Sequence, residues 1–321
     1  MEKGFDIVAI GEVLIDFTDA GMSKDGMQLF EQNPGGAPAN MLTVASHMGL
    51  KTALVGKIGN DMHGMFLKET LEKEKICTDC LRIDEDTFTT LAFVKINKNG
   101  EREFSFARKP GADTQLKPEE VDLEILKKCK IFHTGSLSMT TEPVRTTTIH
   151  AVEAAKAAGS IISYDPNYRA SLWEDEKAAV HAIKSLIPYT DVMKVSDEEG
   201  FLITGEQDYR KAAEKLLEKG PYLVAVTLGA KGVYLAQKGK NEYIEGYRVT
   251  AVDTTGAGDS FWGGFLSHFL TYGKSLMDMK WEEWKECAKY GNATASLCVQ
   301  KRGGIPSIPQ KEEVIAVVKK G

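Results

Sequence analysis

The sequence Asp253-Thr-Thr-Gly-Ala-Gly-Asp-Ser-Phe-Trp-Gly-Gly-Phe265 places two glycines around an alanine, directly before a helical pattern that continues to Phe269. A turn of this kind leaves several backbone N–H groups without partners at the positive end of a helix, which favours the binding of an anion. Asp259 stands in the first turn of that helix. The segment therefore predicts an anion-binding loop with a functional carboxylate beside it. The alternative interpretation is that Asp259 only caps the helix.

Around this loop, short apolar runs alternate with helical periods. The strand-like runs are Ile131–His133, Ile161–Tyr164, Val192–Val195, Leu223–Thr227 and Val233–Leu235. Helical periods lie between or after them, at about 143–158, 176–187, 209–219, 257–272 and 282–298. Strands separated by helices of about 10–15 residues indicate a parallel sheet covered on both faces. The pattern predicts an α/β fold with a mainly parallel central sheet flanked by helices.

The first third of the chain shows the same alternation and then a different unit. Its predicted elements are strands at Ile7–Ile10 and Ala53–Val55, a helix at Pro38–Met48, a charged helix that ends near Lys75, β runs at Thr89–Ile96 and Glu103–Phe106 joined by a hairpin turn at 97–100, and a candidate further strand at Met27–Phe30. We expect segments 16–33 and 87–108 to form a small β-sheet lid, inserted in a single domain that spans residues 1–321.

Three polar clusters stand where ligands commonly bind in open α/β sheets. Asn33-Pro-Gly-Gly-Ala-Pro-Ala-Asn40 has paired glycines that allow close approach to the backbone, and Asn40 opens the next helix. Asp165-Pro-Asn-Tyr-Arg169 places an acid, an amide and an arginine at the carboxyl end of a strand. Asp16 follows the strand-like run Val13–Ile15. Each cluster taken alone is also consistent with an ordinary structural loop, and it is their combination that indicates a site.

Composition excludes several classes of protein. The 321 residues include 40 basic and 46 acidic side chains, a net charge of −6 that argues against a nucleic-acid binder. No apolar run reaches the ~18 residues of a membrane span, and the amino terminus lacks the pattern of a secretory signal. Five cysteines fit reduced thiols and a cytoplasmic location. Cys77 and Cys80 lack the second ligand pair of a structural zinc site.

The glycine segments 33–40 and 253–265 resemble the two signatures of the ribokinase-like (PfkB) carbohydrate kinase family, and the resemblance extends over nearly the whole chain. Three further stretches are most similar to the fructokinase branch: Arg108-Lys-Pro-Gly-Ala-Asp113, Ser163-Tyr-Asp-Pro-Asn-Tyr-Arg-Ala-Ser-Leu-Trp173 and Val195-Ser-Asp-Glu-Glu199. The resemblance implies a ribokinase-like fold. It also implies transfer of the γ-phosphoryl group of ATP to the primary hydroxyl of a monosaccharide, with D-fructose giving fructose 6-phosphate as the leading hypothesis.

The resemblance implies roles for individual residues. Asp259 is the expected general base, and Gly256, Ala257 and Gly258 offer backbone N–H groups to the transferring phosphoryl group. The residues expected to hold the sugar are Asp16, Gly35, Gly36, Asn40, Phe106, Arg108 and Arg169. Those expected beside ATP are Lys194, Glu199, Thr227, Gly229, Gly232 and Asn292.

Two cations follow from the same resemblance. Glu199 matches the last position of the family's Asn-x-x-Glu motif and is expected to act on Mg²⁺ indirectly, although Ser196 replaces the asparagine of that motif. Related kinases bind a monovalent cation beside the anion loop. The matching positions for K⁺ are Asp253, Thr255, Cys298, Lys301, Gly303 and Ser307, several of them through carbonyl oxygens.

The residues fit the chemistry of phosphoryl transfer, which depends on alignment and on neutralisation of charge at the phosphoryl oxygens. With the ordinary aspartate pKa of about 3.9, Asp259 is ionised at neutral pH. Two alternatives stay open: a 2-keto-3-deoxygluconate kinase, whose acidic substrate calls for extra positive charge in the sugar site, and a non-catalytic sugar-binding relative. We also expect a homodimer through the lid, because a small isolated sheet leaves its edges and one face exposed.

Overall fold

Strands and helices alternate along most of the chain in the computed structural model, which describes residues 4–96 and 102–320. In these ranges the strands are β1 (Phe5–Ile10), β2 (Leu14–Met22), β3 (Gln28–Gly35), β4 (Thr52–Gly59), β5 (Ile76–Cys77), β6 (Leu81–Asp84), β7 (Leu91–Ile96), β8 (Arg102–Ala107), β9 (Cys129–Thr134), β10 (Ile161–Tyr164), β11 (Val192–Ser196), β12 (Leu223–Thr227), β13 (Gly232–Gln237) and β14 (Lys240–Glu245). The α-helices are α1 (Ala37–His47), α2 (Met62–Lys73), α3 (Leu123–Lys127), α4 (Val144–Ala157), α5 (Glu176–Leu186), α6 (Asp197–Thr204), α7 (Tyr209–Leu217), α8 (Ala257–Thr271), α9 (Trp281–Cys298) and α10 (Lys311–Lys320).

The central sheet has the strand order β14-β13-β12-β11-β10-β9-β1-β4-β5, and β6 pairs with β4 beyond the end of β5. Pairing is parallel from β12 through to β5 and β6, and antiparallel at β13 and β14. In the middle of the sheet, Ile7 of β1 is in register with Thr52 of β4 and Ile131 of β9. The predicted, mainly parallel sheet is confirmed. Its parallel strands all end at the same edge.

Both faces of the sheet are covered, which explains why its strands are continuous apolar runs. On β1, Val8 and Ile10 belong to one buried cluster, which also contains side chains of α3 to α7. Ile7 and Ala9 belong to the cluster on the opposite face, which contains side chains of α1, α2, α8 and α9. The strand alternates its side chains between two hydrophobic cores. No helix in the described ranges is both long and apolar enough to cross a membrane.

A second sheet forms the lid, with the strand order β3-β2-β7-β8. Strands β2 and β3 are antiparallel, β2 and β7 parallel, and β7 and β8 antiparallel. The two predicted lid segments, 16–33 and 87–108, therefore do contribute this sheet. Asp16 lies inside β2, paired with Asn33, and not after the end of a strand as expected from the sequence. The predicted hairpin turn at 97–100 lies outside the described residues.

Helix α8, which carries the predicted anion loop at its start, is packed tightly on both sides. Its rings Trp262 and Phe265 stack at 4.9 Å between centroids, and Phe265 stacks on the buried Trp284 of α9 at 5.9 Å. A Cβ atom on Gly263 would lie 2.6 Å from Val44 of α1, so the two backbones approach more closely than any larger residue permits. The position of the helix start is therefore set by the core.

Sequence patterns missed several short or solvent-facing elements. Helix α6 has only eight residues, and its first turn contains Glu199, which the sequence analysis assigns to a nucleotide-binding motif. The C-terminal helix α10 and the edge strand β14 carry few buried residues, so they show little hydrophobic periodicity.

Candidate active site

A long cleft runs along the edge of the sheet where the parallel strands end, as is usual for open α/β sheets. A cavity of about 760 Å³ is lined by residues that follow β1, β10, β11 and β12, by the lid, and by the starts of α1 and α8. A second cavity of about 370 Å³ lies beside it. Both are lined by Thr227, Gly229, Thr254, Ala257 and Gly258. The two cavities therefore form one elongated site with two ends.

Asp259 lines the larger cavity next to the shared residue Gly258, in the first turn of α8, and is buried. Its Oδ2 accepts a hydrogen bond from Asn40 Nδ2 at 2.9 Å, and its Oδ1 accepts one from Asn167 Nδ2 at 3.0 Å. Gly256 is the N-cap residue of the helix, and no side chain caps that end. The interpretation of Asp259 as a capping group is therefore wrong. Its carboxylate is held by two side chains from other parts of the chain.

Burial raises the pKa of Asp259, whereas an ordinary value was expected from the sequence. The hydrogen bond from Asn40 and the positive charges of Lys194 and Arg169 act in the opposite direction, and the negative charge of Glu199 adds to the effect of burial. These neighbouring groups therefore favour the ionised form of the carboxyl group and offset part of the effect of burial. A raised pKa also makes it a stronger proton acceptor.

The glycine turn before α8 is built as the sequence indicates. Gly256 has φ of 74°, a conformation that glycine adopts without strain, and the Ala257 N–H donates to Thr254 O at 3.3 Å. A Cβ atom on Gly258 would lie 2.8 Å from Lys194 Nζ. The ammonium group is therefore next to the amides of the first helical turn. Positive charge and a helix N-terminus together make a site for a phosphate group.

Lys194 reaches this position from β11 while bound to Asp165, which follows β10. Its Nζ donates to Oδ2 and Oδ1 of Asp165 at 2.9 and 3.1 Å, and both side chains are buried. Burial alone would lower the pKa of Lys194, but the negative charges of Asp165 and Glu199 outweigh it and raise that pKa. Burial raises the pKa of Asp165 to about 7. The lysine stays cationic in the cleft.

Glu199 lies at the start of α6 and is held by backbone groups. Its Oε2 accepts from the N–H of Ser196 at 2.8 Å, Ser196 Oγ accepts from the N–H of Glu199 at 3.1 Å, and its Oε1 accepts from the N–H of Tyr168 at 2.7 Å. Ser196, which replaces the family's asparagine, is the N-cap of this helix. The carboxylate thus has a fixed orientation at the cleft wall.

At the other end of the larger cavity, the predicted sugar residues come together. Asp16 and Asn40 line it, and the carboxylate of Asp16 lies against Gly35, where a Cβ atom would be 2.5 Å from Oδ2. Gly36 has φ of 109° and packs against the backbone of Glu12. Within the described residues, the buried Oδ1 of Asn40 accepts no hydrogen bond. The site offers donors and acceptors of the kind that bind sugar hydroxyls.

Two predicted sugar residues are placed elsewhere. Phe106 and Arg108 line a separate cavity of about 480 Å³ at the base of the lid. Arg108 donates to Asp113 Oδ2 from both Nε and Nη2, at 2.9 and 2.7 Å, and to Leu137 O at 3.0 Å. Its charge is neutralised in this buried pair, so the expectation that it reaches the sugar is not met here. Arg169 does line the large cavity, and its Nη1 donates to Tyr168 O.

The predicted nucleotide residues divide between the two ends. Lys194, Glu199, Thr227 and Gly229 line the larger cavity. Gly232 and Asn292 line the smaller one, together with the apolar side chains of Val249, Phe261, Ala295 and Val299. Asn292 Nδ2 donates to Glu245 O at 3.0 Å, which ties α9 to the end of β14. A mainly apolar slot beside an anion site suits a flat base attached to a phosphate chain.

The loops predicted to hold a monovalent cation are adjacent. Oδ1 and Oδ2 of Asp253 accept from the N–H groups of Thr255 and Gly303 at 2.8 and 3.0 Å, and thereby join the two loops. Cys298 Sγ is 3.1 Å from Ser307 Oγ and 3.6 Å from Thr255 O. The side chain of Lys301 is positively charged and pairs with Glu313 at 3.6 Å. Lys301 could therefore bind K⁺ only through its backbone carbonyl oxygen. Among the described residues, no three His, Cys, Asp or Glu side chains cluster as a metal site.

Sequence reasoning missed Glu12, a buried acid directly after β1. Its Oε1 accepts from the N–H of Ala37 at 3.0 Å, at the start of α1, and burial raises its pKa to about 7. The signal was present, because Glu12 follows β1 as Asp165 follows β10. The direct bond between Asn167 and Asp259 was also missed, since 92 residues separate them.

Comparison with known proteins agrees with this geometry. The family model described as pfkB family carbohydrate kinase matches residues 5–311. Probable fructokinase-5 from Arabidopsis thaliana is 41% identical over 317 residues, which cover 98% of this chain and 97% of that protein. Fructokinase from Xylella fastidiosa, solved with bound ATP, has a TM-score of 0.92 at 29% identity and covers 100% of this chain and 99% of its own.

A fructokinase double mutant from Vibrio cholerae O395 was solved with fructose, ADP and potassium ion bound. It has a TM-score of 0.89 at 28% identity, over 99% of this chain and 100% of its own. The similarity covers the central sheet, the lid and both ends of the cleft. On the match over residues 5–311 and the 41% identity, the chain belongs to the pfkB family of carbohydrate kinases and has the ribokinase-like fold of that family.

Proposed function

We propose that this carbohydrate kinase transfers the γ-phosphoryl group of ATP to the primary hydroxyl of D-fructose, forming fructose 6-phosphate. One observation carries the proposal: a buried carboxylate, Asp259, stands in the larger cavity beside Lys194 and a glycine turn, Ala257 and Gly258 of which line both cavities. Residues 1–321 act as one catalytic unit with the lid inserted in it, and the family match over residues 5–311 supports this.

In the proposed mechanism, Asp259 accepts the proton of the sugar hydroxyl as the oxygen–phosphorus bond forms. The amides of Gly256, Ala257 and Gly258, with Lys194, neutralise the charge that is spread over the phosphoryl oxygens. Glu199 would hold Mg²⁺ indirectly, and the bound ion would supply further neutralisation of charge on the nucleotide phosphates. The lid excludes water, which otherwise competes with the sugar for the phosphoryl group.

Arg169 and Lys194 bring positive charge to the large cavity, but two other residues favour a neutral sugar over an acidic one. Arg108, a candidate partner for a substrate carboxylate, is neutralised by Asp113 and lies outside the large cavity. Asp16 brings negative charge to the sugar end. This supports fructose against 2-keto-3-deoxygluconate. The buried base and the intact glycine turn argue against a non-catalytic sugar-binding protein.

We also propose that K⁺ activates the enzyme from the loops at 253–255 and 298–307. Asp253 links these two loops directly, and its neighbour Thr255 precedes the glycine turn. A cation between them would hold the amides of the turn in place. The potassium ion in the related Vibrio cholerae structure supports this assignment.

The lid is the proposed contact of a homodimer. Leu29, Phe30 and Phe93 expose 44%, 45% and 37% of their surface on this small sheet, an unusual concentration of apolar groups. Phe93 stacks on Phe17 at 5.3 Å and meets the edge of Phe30 at 5.9 Å, so the rings form a pre-ordered surface.

We also propose that the enzyme is located in the cytoplasm, and the five free thiols support this location.

ADP release in a coupled assay tests the substrate. We expect the highest kcat/KM with fructose among fructose, ribose, adenosine and 2-keto-3-deoxygluconate. A higher kcat/KM with the acidic sugar would overturn the choice of sugar while leaving a kinase. Absence of ADP release with every sugar would favour the non-catalytic alternative.

Asp259→Asn should lower kcat by at least about a hundredfold, because the amide cannot take the proton. ATP affinity by calorimetry and the melting temperature should change little. Asp208→Asn is the matched control, since Asp208 is a true N-cap that accepts from the N–H of Arg210 at 2.8 Å, and its kcat should stay at the wild-type value. A kcat of Asp259→Asn within about tenfold of wild type would show that Asp259 is not the base.

Exchange of K⁺ for tetramethylammonium at constant ionic strength should lower kcat by about fivefold or more, the usual size of an effector's coupling. Added K⁺ should also raise the melting temperature, since a bound ion stabilises the folded state. Equal activity and equal melting temperatures in both salts would remove the potassium site.

Sedimentation velocity at micromolar concentration should show a dimer that Phe93→Asp converts to monomer, because a charge would be buried without a partner. Tyr243→Asp is the control, because Tyr243 is an exposed aromatic residue on β14 of the other sheet, at 45% exposure against 37% for Phe93. A monomeric wild type, with or without fructose, would contradict the dimer.

A further inference from the structure

The segment Asp165-Pro-Asn-Tyr-Arg169, called the 165–169 segment below, contacts three charged groups of the cleft. Asp165 binds Lys194, the N–H of Tyr168 binds Glu199 Oε1, and Asn167 Nδ2 binds Asp259 Oδ1 at 3.0 Å. These three partners come from β11, α6 and α8. One short loop therefore sets the relative positions of the proposed base, cation and Mg²⁺-associated acid.

The backbone conformation of Asn167 allows the 165–169 segment to contact these three elements. Its φ is 47°, a left-handed conformation that asparagine tolerates better than most residues. Its N–H donates to Asp165 Oδ1 at 3.2 Å, and Pro166 O accepts from the N–H of Ser136 at 3.0 Å. The turn sends the Asn167 side chain toward α8, while its neighbours face β11 and α6. A left-handed residue held at such a site is a reason to look for function.

The two amides on Asp259 act on different oxygens and come from different elements. Asn40 of α1 binds Oδ2 and Asn167 of the 165–169 segment binds Oδ1, so the carboxylate plane is fixed at both ends. An N–H donor stabilises the ionised form of a buried carboxylate. The other ionisable groups that act on Asp259 are Lys194, Arg169, Glu199, Asp165 and Cys298. Asn167 adds an uncharged hydrogen-bond donor to Asp259, next to neighbours of both positive and negative charge.

We propose that Asn167 is a positioning residue for phosphoryl transfer: its side-chain amide orients the Asp259 carboxylate and keeps it ionised toward the sugar hydroxyl. This inference rests on the proposed function, in which Asp259 is the base. Asn40 and Asn167 both line the large cavity. Substitution of Asn167 removes the donor to Oδ1 and keeps the Asn40 donor to Oδ2, so it tests how the orientation of the base affects the reaction.

The test begins with Asn167→Gly, which removes the amide and keeps a residue that adopts positive φ. We expect kcat to fall by about 10- to 100-fold, with the KM for ATP unchanged. The acid limb of the kcat–pH profile should move to higher pH, because the ionised base has lost a donor. Lys75→Gly is the matched control: Lys75 also has positive φ, at 59°, and is exposed. Its kcat should equal that of wild type.

Asn167→Asp provides a second variant that keeps the shape of the side chain. Two carboxyl groups about 3 Å apart cannot both ionise readily. The acid limb should therefore move further than in Asn167→Gly. We expect the acid limb to lie at the lowest pH in wild type, at higher pH in Asn167→Gly and at the highest pH in Asn167→Asp. Any other order would overturn the proposal.

A double-mutant cycle separates positioning from a general role in folding. If Asn167 acts through Asp259, then adding Asn167→Gly to Asp259→Asn should change kcat by less than about twofold. Independent, multiplicative losses would show that Asn167 only stabilises the loop. Asp259→Asn with nearly normal kcat would refute the assignment of Asp259 as the base, on which this inference rests. If Asp259→Asn has a strongly lowered kcat and Asn167→Gly has a normal kcat, this inference alone is refuted.

Discussion

Much of the site depends on keeping one buried carboxylate charged. Asp259 is largely buried, and burial raises its pKa, so fixed groups must stabilise its charge. Two amides bind its oxygens, and Lys194 and Arg169 supply positive charge. These groups come from α1, β11 and the 165–169 segment. The same environment that makes the anion costly also makes it a better base and excludes water from it.

The parallel sheet is what allows so many elements to converge. Because its strands end at one edge, the residues after β1, β10 and β11 face a common space. The N-terminus of helix α8, which packs on one face of the sheet, also borders this space. The position of the helix is set by the contact of Gly263 with α1 and by aromatic stacking against α9. A shift of that helix would move the glycine turn and Asp259 together. Core packing and catalytic alignment are therefore the same constraint in this protein.

The lid is coupled to the site through its own strands. Strand β2 carries Asp16 in the sugar pocket, and β3 leads directly into the glycine pair at the start of α1. The apolar rings of Phe17, Phe30 and Phe93 lie further out on the same sheet. A partner that covers those rings would also restrain the strands that hold the sugar. The proposed dimer contact and the proposed sugar contact thus share one small sheet.

The sequence by itself determined the kind of fold and the chemistry of the main loop. Apolar runs of strand length separated by helical periods specify a parallel sheet with two covered faces, and a glycine turn before a helix specifies an anion site, because both properties are local. The lid segments and most residues of the cleft were identified in the same way or by resemblance. Only the tertiary structure decided which side chains meet. Asn167 and Asp259 are 92 residues apart, and Arg108 pairs with Asp113 away from the cleft. Burial, which raises the pKa of Asp259, Asp165 and Glu12, likewise arises from packing between distant segments and leaves no local pattern in the sequence.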